Sequence, residues 1–380
     1  MTAMSEAGLP VVGGSAAEDR VSVASQRQLI WWRFRKHRLA MVSAVVILLF
    51  YLAALGADFL AITDPEFSNA ILNLMPPQPI KLLDNGQWSP HVCALTGQRD
   101  PQTYKKVYKP DCNIKVPIRF FTTGYPYRFL GLFPTNRHLI GVGDGYKPEE
   151  TLFLLGTDVQ GRDLWSRLML GTRVSLSVGL AGVGLSLVLG IILGGISGYY
   201  GGVIDTVIQR VIEIMRAVPT IPLWMGLAAA LPRHWTVLQV YFAITVILAL
   251  FAWTDLARVV RGRFLALREE DFVAAALLAG ATPWRIIFAH MLPSFYSHII
   301  AAVTLAIPAM IVSETSLSFL GLGLRPPAIS WGTLLQAAQN IQSVAITPWL
   351  LIPAVPVIIA ILAFNFLGDG LRDAADPYSN

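Results

Sequence analysis

The stretch Arg268–Pro293 reads REEDFVAAALLAGATPWRIIFAHMLP. Ala274, Ala275, Ala276, Leu277, Leu278 and Ala279 form a strong helix-forming run. Gly280 is placed to end that helix as a C-terminal cap. Thr282 can then cap a second helix whose first residue, Pro283, loses nothing by lacking an N–H. That second helix is expected to stop before Pro293. Neither helix reaches the ~20 apolar residues that span a bilayer. Arg258, Arg261, Arg263 and Arg268 flank the stretch and Arg285 lies inside it, which places it on the cytosolic side of a membrane. The stretch reads as a folded helix–turn–helix knob, a docking surface for another protein. A loop helix lying on the membrane surface is the alternative.

Composition agrees with a membrane setting. Of the 380 residues 54% are hydrophobic and 14% charged, against about 25% charged in a globular domain. The basic residues form no aromatic-interleaved patch, so nucleic acid is not an expected partner. Cys93 and Cys112 share one polar segment; with no CxxC, no Cys/His cluster and no HExxH, no metal site is expected. His290 and His298 flank Pro293 and read as satisfied or snorkelling side chains. No lysine follows a glycine, so the chain has no GxxxxGK[ST] phosphate loop. If ATP powers this protein, another subunit must hydrolyse it. No cofactor and no covalent chemistry are expected.

The knob resembles the coupling loop, or EAA loop, of binding-protein-dependent ABC importer permeases. The family pattern is Glu-Ala-Ala, three residues, Gly, then Ile and a closing Leu-Pro. Ala275, Ala276, Gly280, Ile286 or Ile287, Leu292 and Pro293 match it. Ala274 stands where the family has glutamate, and Glu269, Glu270 and Asp271 one turn upstream are the acidic residues that can replace it. The resemblance makes these residues, with Ala281 and Arg285, an ATPase-coupling surface. A second segment, LGTDVQGRDLWSR at 155–167, is similar to the GTDxxGRDxxSR signature of the oligopeptide/dipeptide (peptide/opine/nickel) permease subfamily. Gly156, Thr157, Asp158, Gly161, Arg162, Asp163, Ser166 and Arg167 match. Its charges are expected to form a solvated lattice that holds the start of a span, rather than to touch substrate. The terminal stretch from Gly368 to Pro377 resembles the family's GDxLRDxxDP ending.

In chain order, residues 1–38 read as a cytosolic tail, polar at first and then basic, with Trp31 and Trp32 at the interface. Residues 39–60 are apolar and uncharged except for Asp58 near their end; they read as an uncleaved first span. Residues 61–166 read as a periplasmic segment, with short strands and turns from Asn113 to Leu139. A disulfide between Cys93 and Cys112 suits that compartment. Residues 167–370 read as a five-helix core with the coupling loop at 254–293, and 371–380 as a cytosolic tail. The second span is expected over about 172–198. Gly182, Ser186, Gly190, Gly194 and Gly198 recur every fourth residue, a bare stripe for close helix packing. The third begins with Asp205, Gln209, Arg210, Glu213 and Arg216 at helical spacing, Glu213 standing between the two arginines. It then meets Pro219 and Pro222 mid-span, which mark either the translocation path or a packing kink. The fourth runs over 237–253 and the fifth over 294–313, with Pro308 inside and Glu314 at its outer end. Glu314 reads either as a pore-mouth carboxylate or as polar glue bonded to Ser313, Ser316 or a neighbouring helix. The sixth runs over 348–367.

The fold class expected is an all-α membrane protein of the type I ABC importer permease fold. It has six transmembrane helices and a long periplasmic loop of partly β character. The resemblance implies a C-type permease subunit in the bacterial inner membrane, both termini cytosolic, surrounded by membrane lipid. Its implied partners are a second homologous permease in a heterodimer, two cytosolic ABC ATPases and a periplasmic solute-binding protein. Peptides are the cargo that the resemblance favours; oligosaccharides, opines and metal chelates are carried by similar permeases. A channel without ATPases is a further alternative. A membrane-embedded protease would need paired acids or a nucleophile–base pair, and the interior acids are single.

Overall fold

The computed structural model describes residues 26–84, 86–99, 101, 106–232 and 234–375. The expectations placed on residues 1–25 and 376–380 lie outside the described residues. Helix α1 (Gln26–Lys36) is followed by α2 (Arg38–Leu55), which His37 caps by accepting the Ala40 N–H on Nδ1. Gly56 ends α2, and the short turn Ala57–Leu60 carries the chain on, so the expected span 39–60 is broken four residues before its end.

A sheet of four antiparallel strands follows: β1 (Ile80–Asp84), β2 (Gln87–Arg99), β3 (Lys106–Phe129) and β4 (Phe133–Val142), in that spatial order. The expectation of short strands from Asn113 onward is corrected here. The sheet starts at Ile80, and β3 alone is 24 residues long. Its first half pairs with β2 and its second half with β4. Pro90, Pro110, Pro117 and Pro126 break the alternating pattern in the sequence but not the extended backbone, whose φ they suit. Pro126 falls in the irregular stretch between Thr123 and Tyr127. Cys93 on β2 and Cys112 on β3 are joined by a disulfide. The sheet's base is a small core of Ile62, Val92, Val116 and Leu152, with Trp165 packed on it.

The bundle consists of α3 (Leu164–Tyr200), α4 (Gly202–Ala217), α5 (Thr220–Ala229), α6 (Val237–Leu267), α7 (Asp271–Leu278), α8 (Tyr296–Phe319) and α9 (Ala354–Ala375). Helices α2, α3, α6 and α8, and the segment Pro348–Ala374, are long and apolar enough to cross a membrane. The pair α4–α5, bent by 84°, makes the sixth crossing when taken as one broken span. Among lipid tails there is little hydrophobic drive between helices, so close backbone approach and hydrogen bonds must hold them.

Further expectations change. The fourth span, expected over 237–253, runs on as α6 to Leu267, so the first part of the expected coupling loop 254–293 is a continuation of that helix. The second span begins at Leu164, because Asp163 caps it through the Ser166 N–H. The third is a corner, not a kinked rod: Pro219 is the N-cap of α5 and Pro222 lies in its first turn, where a missing N–H costs nothing. The helix after Thr282 passes Pro293 instead of stopping before it. A π-turn over Ile286–Met291 leads into the turn Leu292–Ser294, where Pro293 sits at a first-turn position. The helix breaks at Phe295, and α8 then runs to Phe319, five residues beyond Glu314. Finally, α9 continues to Ala375, so the described part of the expected tail, 371–375, is helical. Leu371 and Ala374 pack on Phe34 and Ala40, and a Cβ at Gly370 would collide with Ala40.

Candidate functional site

The knob is built on a two-bond helix stop. Gly280 sits at φ +76°, the left-handed conformation that glycine adopts freely. Its N–H reaches Leu277 O and the Ala281 N–H reaches Ala276 O, each at 3.0 Å. This is a Schellman cap, and it turns the chain back on itself. Thr282 then caps the next turn by accepting the Arg285 N–H. One face of the knob buries Val273, Ile286, Ile287 and Met291 against Val260 and Phe264 of α6 and Phe295 and Ile299 beyond. Leu292 is buried with them.

The opposite face is apolar and open. Leu278 is 91% exposed, and Phe272, Leu277, Trp284 and Phe288 are exposed around it. The Trp284 and Phe288 rings stack at 5.7 Å. Ala274, Ala275, Arg285 and Pro293 are exposed, Ala276 and Ala281 half-buried. Glu269, Glu270 and Asp271 are exposed beside them, Glu269 paired with Arg268 at 3.0 Å. An apolar cluster rimmed by charge marks an interaction surface.

Helix α3 fixes where the knob lies. Trp165 near its start packs on the sheet's core, and Tyr199 near its end packs on the knob's core. At 1.5 Å per residue those positions are about 50 Å apart. The knob and the disulfide-bonded sheet therefore stand at opposite ends of the bundle.

Between α4–α5, α6 and α8 lies a cleft of about 510 Å³. Arg216, Trp224, Asp255 and Ala306 are among its lining residues. Arg216 pairs across it with Asp255 of α6, so the expected grouping of Glu213 between two arginines is only half right; Glu213 bonds Arg210 alone. Pro219 and Pro222 lie exposed at the α4–α5 corner, and Pro308 is buried inside α8; neither these three nor Glu314 line this cleft.

Glu314 is fully buried, which corrects the pore-mouth placement. It accepts from Ser318 Oγ at 2.8 Å and from Ser175 Oγ of α3 at 3.2 Å. Ser175 and Ser318 also accept the backbone N–H groups of Trp331 and Leu324. Ser313, named as a partner from the sequence, donates instead to Ala309 O. The carboxylate is a junction of α3, α8 and the loop after it.

Residues 187–378, half of the chain, match the family model described as the binding-protein-dependent transport system inner membrane component. Residues 25–77 match the N-terminal transmembrane domain of oligopeptide transport permease C. The chain belongs to this permease family. It is 41% identical over 231 residues to the dipeptide transport system permease protein DppC of Lactococcus lactis subsp. cremoris, covering 60% of this chain and 65% of that protein. It is 37% identical over 232 residues to the oligopeptide transport system permease protein OppC of Bacillus subtilis, covering 61% and 73%. A solved inward-facing structure of the MetNI methionine ABC transporter aligns at a TM-score of 0.41 and 20% identity, over 55% of this chain and 95% of that one.

Two further parts of the permease hold the bundle together. The small-residue stripe lies on α3 where other helices approach. Gly190 and Gly194 face Leu256 and Ala257 of α6, Gly198 faces Arg261 and Phe264, and Gly182 faces Met310 of α8. Ser186 Oγ reaches Ala249 O at 3.1 Å. Asp205 of α4 makes a two-bond ion pair with Arg261 of α6, both at 2.6 Å, a link the sequence reading missed.

The signature at 155–167 is not the solvated lattice expected; it is a buried socket. Thr157, Asp158, Asp163, Ser166 and Arg167 are all buried. Thr157 Oγ1 donates to Leu72 O and accepts the Met75 N–H at 2.8 Å. Ser166 Oγ accepts the Ile62 and Thr63 N–H groups, and Arg167 donates to Pro65 O at 3.0 Å. Asp158 holds Arg162 at 2.7 Å and lies 3.7 Å from Arg167. Gly156 and Gly161 take positive φ, and a Cβ at either would collide with Met75 O or Asn69 O. Burial pushes the Asp163 carboxyl up to about 6, against the opposing pull of its Ser166 hydrogen bonds. The socket thus clamps residues 62–75 onto the start of α3.

Proposed function

We propose that this chain is the C-type permease subunit of an ATP-driven importer for peptides. In this reading the knob at 268–293 docks a cytosolic ABC ATPase. A second, homologous permease completes a heterodimer, and a periplasmic solute-binding protein delivers cargo at the sheet end. Arginines concentrated between Thr254 and His290 support a cytosolic knob and a periplasmic sheet in a bacterial inner membrane. The subunit supplies a path and a lever, with no covalent step of its own. The cleft beside Arg216 and Asp255 is its share of the path.

The observation that carries this reading is the knob's two-sidedness. Its base is packed rigidly into α6 and α8, while its far face leaves Leu278 and Trp284 uncovered about 50 Å from the sheet. A surface so placed can pass a partner's motion into the bundle. The peptide cargo rests on what the dipeptide and oligopeptide relatives are named for.

The test is Gly280→Val. Valine strains the φ +76° turn, yet nothing lies within 4 Å of the added Cβ. Membrane insertion should be retained, while ATP-dependent uptake of a labelled dipeptide by the assembled transporter falls at least tenfold. Normal uptake with the variant would overturn the docking role.

A further inference from the structure

The hairpin of β3 and β4, residues 118–142, carries Arg119, Arg128 and Arg137 and no acidic residue. Its tip is apolar and open: Leu130, Leu132 and Phe133 are all exposed, Leu132 by 73%. Gly131 makes the turn at φ +73°, but the residues around it are apolar where a hairpin tip in water is normally polar. Something covers this one.

The structure indicates what does. On α2, Val45, Leu49, Leu52 and Leu55 form an exposed stripe along one helix face, the side a membrane span turns to lipid. The stripe's next member is Phe59, whose ring meets that of Phe121 on β3 at 6.2 Å. Phe121 is itself exposed, so the lipid-facing surface of the span continues into the hairpin without a polar gap. The hairpin is pinned at this level. His138 Nδ1 lies 2.8 Å from Ala61 O, one residue past the turn that follows the span. Arg137 Nη1 donates to Phe121 O at 3.2 Å. From His138 the strand runs five residues to Phe133, a reach of about 17 Å away from that anchor.

We infer that the β3–β4 hairpin lies on the leaflet into which α2 emerges, with Leu132 and Phe133 dipped among the acyl chains and Arg128 and Arg137 on lipid phosphates. Cationic and aromatic side chains without acids suit the interfacial zone of an anionic membrane. The hairpin would then act as an outrigger that fixes the tilt of the sheet above the first span. This requires only that α2 crosses a bilayer, and it stands or falls separately from the ATPase-docking reading.

The test uses the full chain alone in nanodiscs with about one-third anionic phospholipid. Both native cysteines are disulfide-bonded, so Leu132→Cys offers a single reactive thiol for an environment-sensitive fluorophore. Gln98→Cys, exposed at the far end of β2, is the reference. Lipids carrying a nitroxide near the headgroup should quench the label at 132 at least twofold more than at 98. Replacing Arg128 and Arg137 with glutamate should remove most of that difference. Phe133→Cys repeats the measurement should the first variant fold poorly. Equal quenching at 132 and 98 overturns the inference. So does a label at 132 shielded from both the lipid nitroxide and aqueous acrylamide, which would mean that a protein surface covers the tip.

Discussion

The socket at 155–167 and the knob at 268–293 invert each other. The socket draws two aspartates, an arginine, a threonine and a serine out of water. The knob leaves two leucines, a tryptophan and two phenylalanines in it. Residue type alone would have placed them the other way round. What differs is the availability of partners within the chain. Residues 62–75 offer the socket a row of backbone N–H and C=O groups, and buried charge becomes tolerable when most of its polar atoms find partners, Asp163 Oδ1 being an exception. No segment of this chain covers Leu278 among the described residues. In the proposed docking role its partner comes from another molecule. The socket closes the structure, and the knob leaves it open for assembly.

Two glycines with nearly the same backbone make the sharpest trial of that contrast. Gly161 has φ +72° and Gly280 φ +76°. A Cβ at Gly161 would run into Asn69 O and crowd Asn73 N, whereas one at Gly280 meets nothing within 4 Å. Gly161→Val should therefore leave no monodisperse, membrane-inserted protein, as read by size-exclusion chromatography of the solubilised chain. Gly280→Val should elute normally, at a cost of about 1–3 kcal/mol from backbone strain alone. Equal yields would show that the socket is not clamped as described.

Asp158→Ala comes next in size. It strips the partner from Arg162 and leaves the buried Arg167 with only backbone acceptors. Breaking a buried pair by removing one member costs about 3–5 kcal/mol. Thermal or denaturant unfolding in nanodiscs should show a loss of that order, while Glu269→Ala in the exposed Arg268 pair on the knob should cost below about 1 kcal/mol.

How much of this was legible beforehand follows the same division. The knob was readable because its signals are local: an alanine-rich run, Gly280 as the stop, Thr282 and Pro283 as the restart. The α3 stripe was readable because its period is helical. The spans were readable in existence from apolar length, but their ends moved by up to 14 residues, the fourth running on from 253 to Leu267. Caps such as Asp163, and the contact of Leu371 with Phe34, lie outside hydropathy. The socket was misread because burial depends on segments 80–105 residues away, and nothing local distinguishes a buried aspartate from a solvated one. For Glu314 the sequence left a pore mouth and polar glue to a neighbouring helix both open for a related reason: the partner that decides for glue, Ser175, is 139 positions distant. Asp255 was missed since its only signal was to lie near Arg216 in space. The sheet was half missed because prolines hid its alternation.

A smaller effect separates the two regions by pH. The Asp163 carboxyl titrates near 6 when folded and near 3.9 in an unfolded chain. Between those values the folded form holds more protons, so stability falls as pH rises from about 4 to 6 and is level above. The two-unit gap corresponds to a loss of at most ~3 kcal/mol. Asp163→Asn keeps an acceptor for the Ser166 cap and should flatten this part of the unfolding profile. An unchanged slope in the variant would assign the pH dependence elsewhere.

The smallest effect on folding should accompany a large one on assembly. Leu278, 91% exposed, buries almost nothing within the chain, so Leu278→Ser should alter unfolding by no more than about 0.5 kcal/mol. If the knob is an interface core, the same change removes an apolar anchor there, worth about 1–2 kcal/mol or more in binding. That is roughly a tenfold or greater weakening of ATPase capture in a titration with the purified partner. Trp284→Ser should weaken capture further, since its stacked ring carries more area. Stability and affinity that fall together would mean that the open face serves the fold, and the contrast with the socket would vanish. Affinity that falls alone would show the division of labour: one motif buried to hold the chain, the other exposed to hold its neighbour.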